Sequence, residues 1–406
     1  EMTKFWVKIF ALTFALGVAT GLVQLFSFGT NWARYSRFVG DVFGSALALE
    51  GIFAFFLEAG FIGIMLFGWE KVSAKVHYLS TILVVFGAHF SAVWIVIANS
   101  WMQTPAGYKI VGEGKEAKAV VTDFWAMMFN PSAMERLTHV ILGCWLAGIF
   151  LIISVSAYYT LKNKYQAFSR SCLKLGLFSA AIVLVLQLIS ADSTARGIVE
   201  YQPIKLAAIE GVYDTAPKTP FTIAGWVDKE EEKVKGIQVP GVLSFLVHKD
   251  VDKPVRGLKE FPRDQWPNVP VVFQTYHLMV FMWTGMVLCV LFALYFLKKK
   301  RLEKSKWTLR ALVLSVAFPQ IANQAGWFTA EMGRQPWIVY NLLRTQDGTS
   351  LMVKSHQVLS SITMFIVIYV LLFVLFIYLL DHKIKHGPEE QGKSDPTQTE
   401  YRNHYS

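Results

Sequence analysis

The sequence predicts an all-α fold, a polytopic transmembrane helical bundle of eight crossings, and three observations predict it. Of the 406 residues, 54% are hydrophobic and 17% charged, whereas soluble domains carry about 25% charged residues. Apolar windows of about 20 residues, the length a helix needs to cross a bilayer, recur from end to end. Lysine and arginine gather in alternate loops, as they do when every second loop stays in the cytoplasm. The net charge of +10 then follows from topology, and it points to no nucleic-acid partner.

The chain opens Glu1-Met2-Thr3-Lys4, with neither an initiator at its head nor a signal-peptide pattern, so further sequence is expected upstream. The first crossing is Phe5 to Phe26. The second, Phe43 to Trp69, is apolar except for Glu50 and Glu58, which on one regular helix would lie roughly 80° apart around it and about 12 Å apart along it. A carboxylate at that depth is costly unless a cofactor, an ion pair or a proton pathway compensates, which makes this crossing a candidate functional element. Lys71 and Lys75 mark its inner end. The third crossing, Val76 to Trp101, leads out. The fourth, Leu137 to Leu161, follows Glu135 and Arg136 and carries His139 near its outer end. Lys162, Lys164, Arg170 and Lys174 place the next loop inside, and the fifth crossing, Leu173 to Ser190, returns outward.

Between the fifth and sixth crossings an external loop, 191–270, carries mixed charges, several prolines and Lys205-Leu-Ala-Ala-Ile-Glu210. A loop that long without evident structure is functional or disordered. The run Asp228 to Lys235 reads as a solvated face. The sixth crossing, Val271 to Leu297, contains Tyr276-His277-Leu278-Met279 and ends in the basic stretch Lys298 to Arg310, the strongest inner-side marker. The seventh, Leu309 to Ala330, ends in Gly326-Trp327-Phe328-Thr329-Ala330-Glu331-Met332-Gly333-Arg334-Gln335-Pro336-Trp337. Here Glu331 and Arg334 share a helical face, the tryptophans suit stacking or an interfacial belt, and Pro336 ends the helix. After the eighth crossing, Gln357 to Leu380, a polar tail, 381–406, is expected to be disordered and cytoplasmic. Cys144, Cys172 and Cys289 lack CxxC or CxxCH spacing, so neither disulfide, zinc nor covalent haem is expected.

A histidine and a methionine from facing helices can occupy both axial positions of a haem iron, giving a low-spin electron-transfer centre. His139 and Met279 qualify, but His77, His89, His277 and His356 have comparable claims, and spacing does not choose among them. A glutamate such as Glu331 can ligate a high-spin iron through oxygen, with Arg334 neutralising a propionate.

Several motifs are long and rare: Gly-Thr-Asn-Trp at 29–32, Gly40-Asp41-Val-Phe-Gly44 leading to Glu50 and the Phe-Phe-Leu-Glu58 run, Ala98-Asn-Ser-Trp-Met-Gln103, the Lys205 to Glu210 motif, and Gly333-Arg-Gln-Pro-Trp337. From the first crossing to the seventh they resemble subunit I of the cytochrome bd quinol oxidases, in the form with a short quinol loop. The resemblance implies that His139 and Met279 hold a low-spin haem b and that Lys205 and Glu210 serve quinol binding and oxidation. It implies that Glu331 ligates a high-spin haem b, with Trp327 and Arg334 beside it. Glu50 falls at the dioxygen site, where the third macrocycle is haem d or a second high-spin haem b. Glu58, Ser91 and His77 match positions of proton delivery from the cytoplasm.

The family's subunit has nine helices, the first carrying a haem-ligating histidine, and the sequence at hand starts after it. The implied division is a haem-bearing membrane part, 1–190, the extracytoplasmic quinol loop, 191–270, a second membrane part, 271–380, and the tail. The implied activity is oxidation of ubiquinol or menaquinol outside and reduction of dioxygen to water with protons from the cytoplasm, electrogenic without pumping. The expected setting is a bacterial cytoplasmic (inner) membrane, with a second large subunit (subunit II) and small single-helix accessory subunits as partners. Two other classes stay open on residues alone: an ion or proton transporter using its intramembrane acids, and a b-type haem electron carrier without dioxygen chemistry.

Overall fold

A computed structural model describes residues 2–51 and 56–388. Most of the polar tail and part of the Phe-Phe-Leu-Glu58 run lie outside the described residues. In chain order, α1 (Met2–Asn31) and the short α2 (Ala33–Phe38) lead into α3 (Gly40–Leu49) and α4 (Phe56–Phe67). α5 (Ala74–Gln103) runs outward to a hairpin of β1 (Tyr108–Val111) and β2 (Lys118–Val121) and to α6 (Phe124–Met128). α7 (Ala133–Leu161) and α8 (Gln166–Tyr201) form an antiparallel pair. The external segment then builds α9 (Pro203–Glu210), a second hairpin of β3 (Phe221–Asp228) and β4 (Lys233–Val239), and α10 (Val242–His248). α11 (Val269–Lys298) goes inward, and α12 (Lys306–Leu314) with α13 (Ala317–Met332) comes back. A third hairpin, β5 (Trp337–Val339) with β6 (Leu343–Arg344), and α14 (Thr345–Gly348) precede α15 (Ser355–His386).

The all-α polytopic architecture is as the sequence predicts, with one refinement of the count. Among the described residues six helices, α1, α5, α7, α8, α11 and α15, are long and apolar enough to cross a membrane. Of the other two expected crossings, one is divided and one is described only in part. α12 gives way to α13 at Ser315 and Val316, where Pro319 in the first turn of α13 has no N–H to continue the ladder back to Ser315. In the second crossing α3 passes at Glu50 and Gly51 into a π-helical turn, residues 52–55 lie outside the described residues, and α4 begins at Phe56, so the expected placing of Glu50 and Glu58 on one regular helix falls partly outside the described residues. Two boundaries also move: α8 continues past 190 to Tyr201, and α15 past 380 to His386.

Local signals explain the element ends. Ser73 caps α5 by accepting from the Val76 N–H at 3.4 Å, Asp123 caps α6 by accepting from Ala126 at 3.0 Å, and Pro203 opens α9. The main core joins α7, α8, α11 and α12 through Phe150, Ile153, Leu177, Met286 and Leu312. A second core joins α2, α3 and α5 to the first hairpin and β5 through Tyr35, Val42, Trp101, Ala119 and Val339. α15 buries none of its residues and touches α1 through Asn31 to Ser361 at 3.2 Å and Tyr369 to the Thr20 carbonyl at 3.3 Å. All three hairpins stand at the end the loop charges place outside. At the other end the Arg170–Glu303 pair joins the two basic loops.

Candidate functional site

Two polar layers lie within the apolar bundle, one at its outer end and one along α4 and α5. The outer layer begins with a cavity of about 220 Å³ between α7, α8, α11 and α13, lined by His139, Gln187, Tyr276, Met279, Trp283 and Asn323 among others. His139 sits two turns into α7 and Met279 nearly three turns into α11, so two helices running in the same direction from the outer surface bring both side chains to one cavity. Gly326 of α13 makes the room: a Cβ there would stand 2.9 Å from the Met279 sulfur. Ser190 Oγ lies 3.4 Å from His139 Nδ1, a partner that would orient the ring. The Gln187 amide nitrogen lies 3.1 Å from His139 Nε2, the atom an axial ligand would use, so it has to turn aside for an iron. The Gln187 amide oxygen and the Trp283 N–H are buried without a partner. An apolar cavity with a histidine and a methionine on its walls and loosely held polar groups fits a haem held between two axial side chains.

Next to the cavity lies a hydrogen-bonded cluster around Glu331 at the end of α13. Asn99 donates to Glu331 Oε1 at 3.0 Å, Gln103 reaches the same oxygen at 3.4 Å, and Arg334 pairs with Oε2. Arg136, one turn before His139, donates to Asn99 Oδ1 at 2.6 Å. Arg136 Nε and Arg334 Nη1 are buried without a partner. Two guanidiniums with unused buried donors beside one carboxylate fit the acidic groups of a porphyrin. Among the described residues no three His, Cys, Asp or Glu side chains form a metal-holding cluster, which agrees with an iron held by a macrocycle and one or two side chains.

The loop motif enters both features. α9 is buried on every side, and Lys205 and Glu210 point to different neighbours because five residues advance a helix by about 140° beyond a full turn. Lys205 Nζ donates to Gln103 Oε1 and Gln202 Oε1, each at 2.5 Å, and its stem lies against Gly333, where a Cβ would come within 2.9 Å of Lys205 Cγ. Burial pushes the Lys205 ammonium well below its ordinary range, with Arg136 and Arg334 adding to the effect and Glu331 opposing it. Glu210 hydrogen-bonds the Tyr276 hydroxyl and leaves Oε2 buried without a partner. Burial raises its carboxyl to about 8.

Along α4 and α5, Ser91 Oγ donates to Glu50 Oε1 at 2.8 Å. Glu58 is buried, and His77 Nε2 lies 3.0 Å from the Met65 carbonyl, near the inner end. The three positions thus descend one helix pair, although no hydrogen bond joins Glu58 to Ser91 or His77 among the described residues. Trp327, one turn before Glu331, is exposed and takes no part in the cluster. Sequence reasoning missed Arg136, Asn99, Gln103, Gln187 and Tyr276 as site residues. Asn99 and Gln103 carried a usable signal, two amides four residues apart on one face near the end of an apolar crossing, and so did Gln187, the lone polar residue in Val183 to Ile189.

The family described as cytochrome bd terminal oxidase subunit I matches residues 1–388 of the chain. Cytochrome bd ubiquinol oxidase subunit 1 of Bacillus subtilis is 38% identical over 406 aligned residues, covering 97% of this chain and 86% of the relative. Cytochrome bd-II ubiquinol oxidase subunit 1 of Escherichia coli is 31% identical, covering 98% and 90%. Among solved structures, the bd oxidase from Geobacillus thermodenitrificans superposes with a TM-score of 0.85 at 30% identity, covering 94% of this chain and 87% of that one.

Proposed function

The chain belongs to the cytochrome bd terminal oxidase subunit I family, and from that premise we propose that its outer polar layer oxidises quinol and its buried carboxylates serve dioxygen reduction. It is a multi-pass membrane subunit of a quinol:dioxygen oxidoreductase. The observation that carries the finer reading is the meeting of His139, Met279 and Tyr276 on one cavity, with Tyr276 hydrogen-bonded to Glu210 of the loop.

Glu210 is suited to take a quinol proton. Its free Oε2 can accept a hydroxyl hydrogen, and a carboxyl near 8 both receives and releases a proton close to neutrality. Lys205, held by Gln103 and Gln202, orients a second quinol oxygen. His139 and Met279 would hold a low-spin haem b, Glu331 a high-spin haem b with Arg334 and Arg136 on its acidic groups, and Glu50 would stand at haem d or a second high-spin haem b. When bound, these haems supply one-electron carriage and the iron at which dioxygen is reduced. Glu58 and His77 would bring protons from the inner side toward Ser91 and Glu50, so charge separates across the membrane without pumping. The setting this implies is a bacterial cytoplasmic membrane, ubiquinol or menaquinol as donor, and a subunit II with small accessory subunits as partners.

A reduced-minus-oxidised visible spectrum of the purified complex, with quinol-driven oxygen uptake, tests the reading. Haem b bands together with uptake are expected, and pyridine haemochrome extraction identifies the third macrocycle. Absence of haem bands would end the proposal, and haem b bands without uptake would reduce the chain to an electron carrier.

A further inference from the structure

The β3–β4 hairpin presents its apolar side the wrong way round for a loop in water. One face packs inward: Val227 joins the core of Ile209, Tyr213 and Val272, and Val234 rests on Gly211. The pairing of Ala224 with Ile237, Trp226 with Lys235 and Phe221 with Val239 puts Trp226, Ile237 and Val239 together on the opposite face. Trp226 is 60% and Ile237 67% exposed there, and Ile223, at the register shift beside them, is 59% exposed. An antiparallel ribbon with one face on a core ordinarily shows a polar face to solvent.

The position of the ribbon explains the inversion. On α11, Gln274, Leu278, Phe281, Leu288 and Phe292 recur at helical spacing as an exposed stripe, largely apolar and without charge, as a lipid-facing side of a spanning helix would be. Gln274, at the outer end of that stripe, donates to the Gly225 carbonyl at 2.9 Å, and one turn inward His277 Nε2 lies 2.9 Å from the Thr222 carbonyl. β3 is therefore strapped across the outer end of this exposed apolar stripe. Lys235, which shares the face of Trp226, is drawn toward the turn by Asp228 at 2.7 Å and Glu231 at 2.9 Å, and the other charges of the ribbon stand at the turn itself. Tryptophan beside aliphatic residues, with charges kept to one end, is the pattern of a segment resting at a bilayer boundary.

We propose that the Trp226, Ile237 and Val239 face of the hairpin lies in the headgroup and upper acyl region of the outer leaflet, so that the quinol loop is anchored to lipid as well as to the bundle. Continuity with the α11 stripe selects lipid over a partner protein or a second copy of the chain. The proposal stands whether or not the haem assignments hold.

Site-directed spin labelling of the whole complex in liposomes decides it. Cys144, the exposed cysteine, is replaced by serine, and labels are placed through Trp226→Cys, Ile237→Cys and, at the turn, Glu230→Cys. Collision with dissolved oxygen should exceed collision with a water-soluble nickel chelate at 226 and 237, and the order should reverse at 230. Greater nickel access at 226 and 237 would overturn the proposal, and so would shelter from both reagents, which would mean that protein covers the face. If Trp226→Cys loses its haem bands, Ile237→Cys and Val239→Cys carry the test.

Discussion

Glu210 and Met279 expose the chemistry most directly to single substitutions. In the folded protein Glu210 holds its proton up to about 8, whereas an unfolded glutamate ionises near about 4.3. Between those values the folded state binds the extra proton, so this residue makes stability fall as pH rises through the window and level off above it. A base must be deprotonated to accept from quinol, so quinol oxidation should climb as pH rises through about 8. Glu210→Ala should lower quinol turnover by about 100-fold with every haem band retained. Steady-state oxygen uptake across pH checks the first, and loss of a haem band in the variant would move Glu210 to a structural role. Met279→Leu keeps the volume and removes the sulfur, so the low-spin haem signal should vanish while the other bands persist. An unchanged low-spin spectrum would remove Met279 as a ligand. Glu210 is legible in the sequence through the Lys205 to Glu210 motif, and Met279 only through what the family resemblance implies; by spacing alone Met279 resembles any core methionine, and His277 looks as good a ligand as His139. The fold favours His139 as the proposed ligand, because it lines the cavity with Met279 whereas His277 is turned to the carbonyls of Phe273 and Thr222.

Helix pairs carry the next level of argument. Hydropathy anticipated the six helices that, among the described residues, are long and apolar enough to span a membrane, but it could not show that the seventh expected crossing is divided into α12 and α13. Apolar content does not register a missing N–H at Pro319. The same limit hid the Asn99, Gln103 and Arg136 cluster, whose members come from helices far apart in sequence and acquire meaning only when α5, α7 and α13 meet. The contact between α11 and α13 gives a sharp test. Gly326 faces the Met279 sulfur at a spacing that a Cβ already crowds, so Gly326→Val should push Met279 out of its cavity and abolish the low-spin band as fully as Met279→Leu does. A retained band would show that the methionine has room elsewhere. On α4, Glu58→Gln keeps shape and hydrogen bonding but removes the titrating proton, so oxygen reduction should slow by roughly 100-fold with little change in the quinol KM. An unaltered rate would take Glu58 off the proton route.

For the molecule as a whole, the buried charges of the outer layer do not balance. Arg136 and Arg334 share one carboxylate, Glu331, and among the described residues each guanidinium retains a buried N–H without a partner. An uncompensated buried charge costs about 3–5 kcal/mol when its partner is removed. A domain's net stability is only about 5–15 kcal/mol, so an imbalance of this size is decisive. The cavity between His139 and Met279 adds to the deficit, because its walls lose contacts when nothing fills it. Haem propionates would supply the missing negative charge and the macrocycle the missing contacts, so the folding of this bundle is expected to depend on haem in the way that ligand binding to the native state alone stabilises a protein. Cells starved of haem synthesis should therefore accumulate little of the intact chain, and the chain purified from them should unfold well below the melting temperature of the loaded complex. Arg334→Gln removes one of the two guanidiniums that share Glu331, so it should narrow that gap between haem-free and loaded protein even as it weakens haem retention. Equal melting temperatures for the two forms of the native sequence would show that the bundle neutralises its guanidiniums without a cofactor.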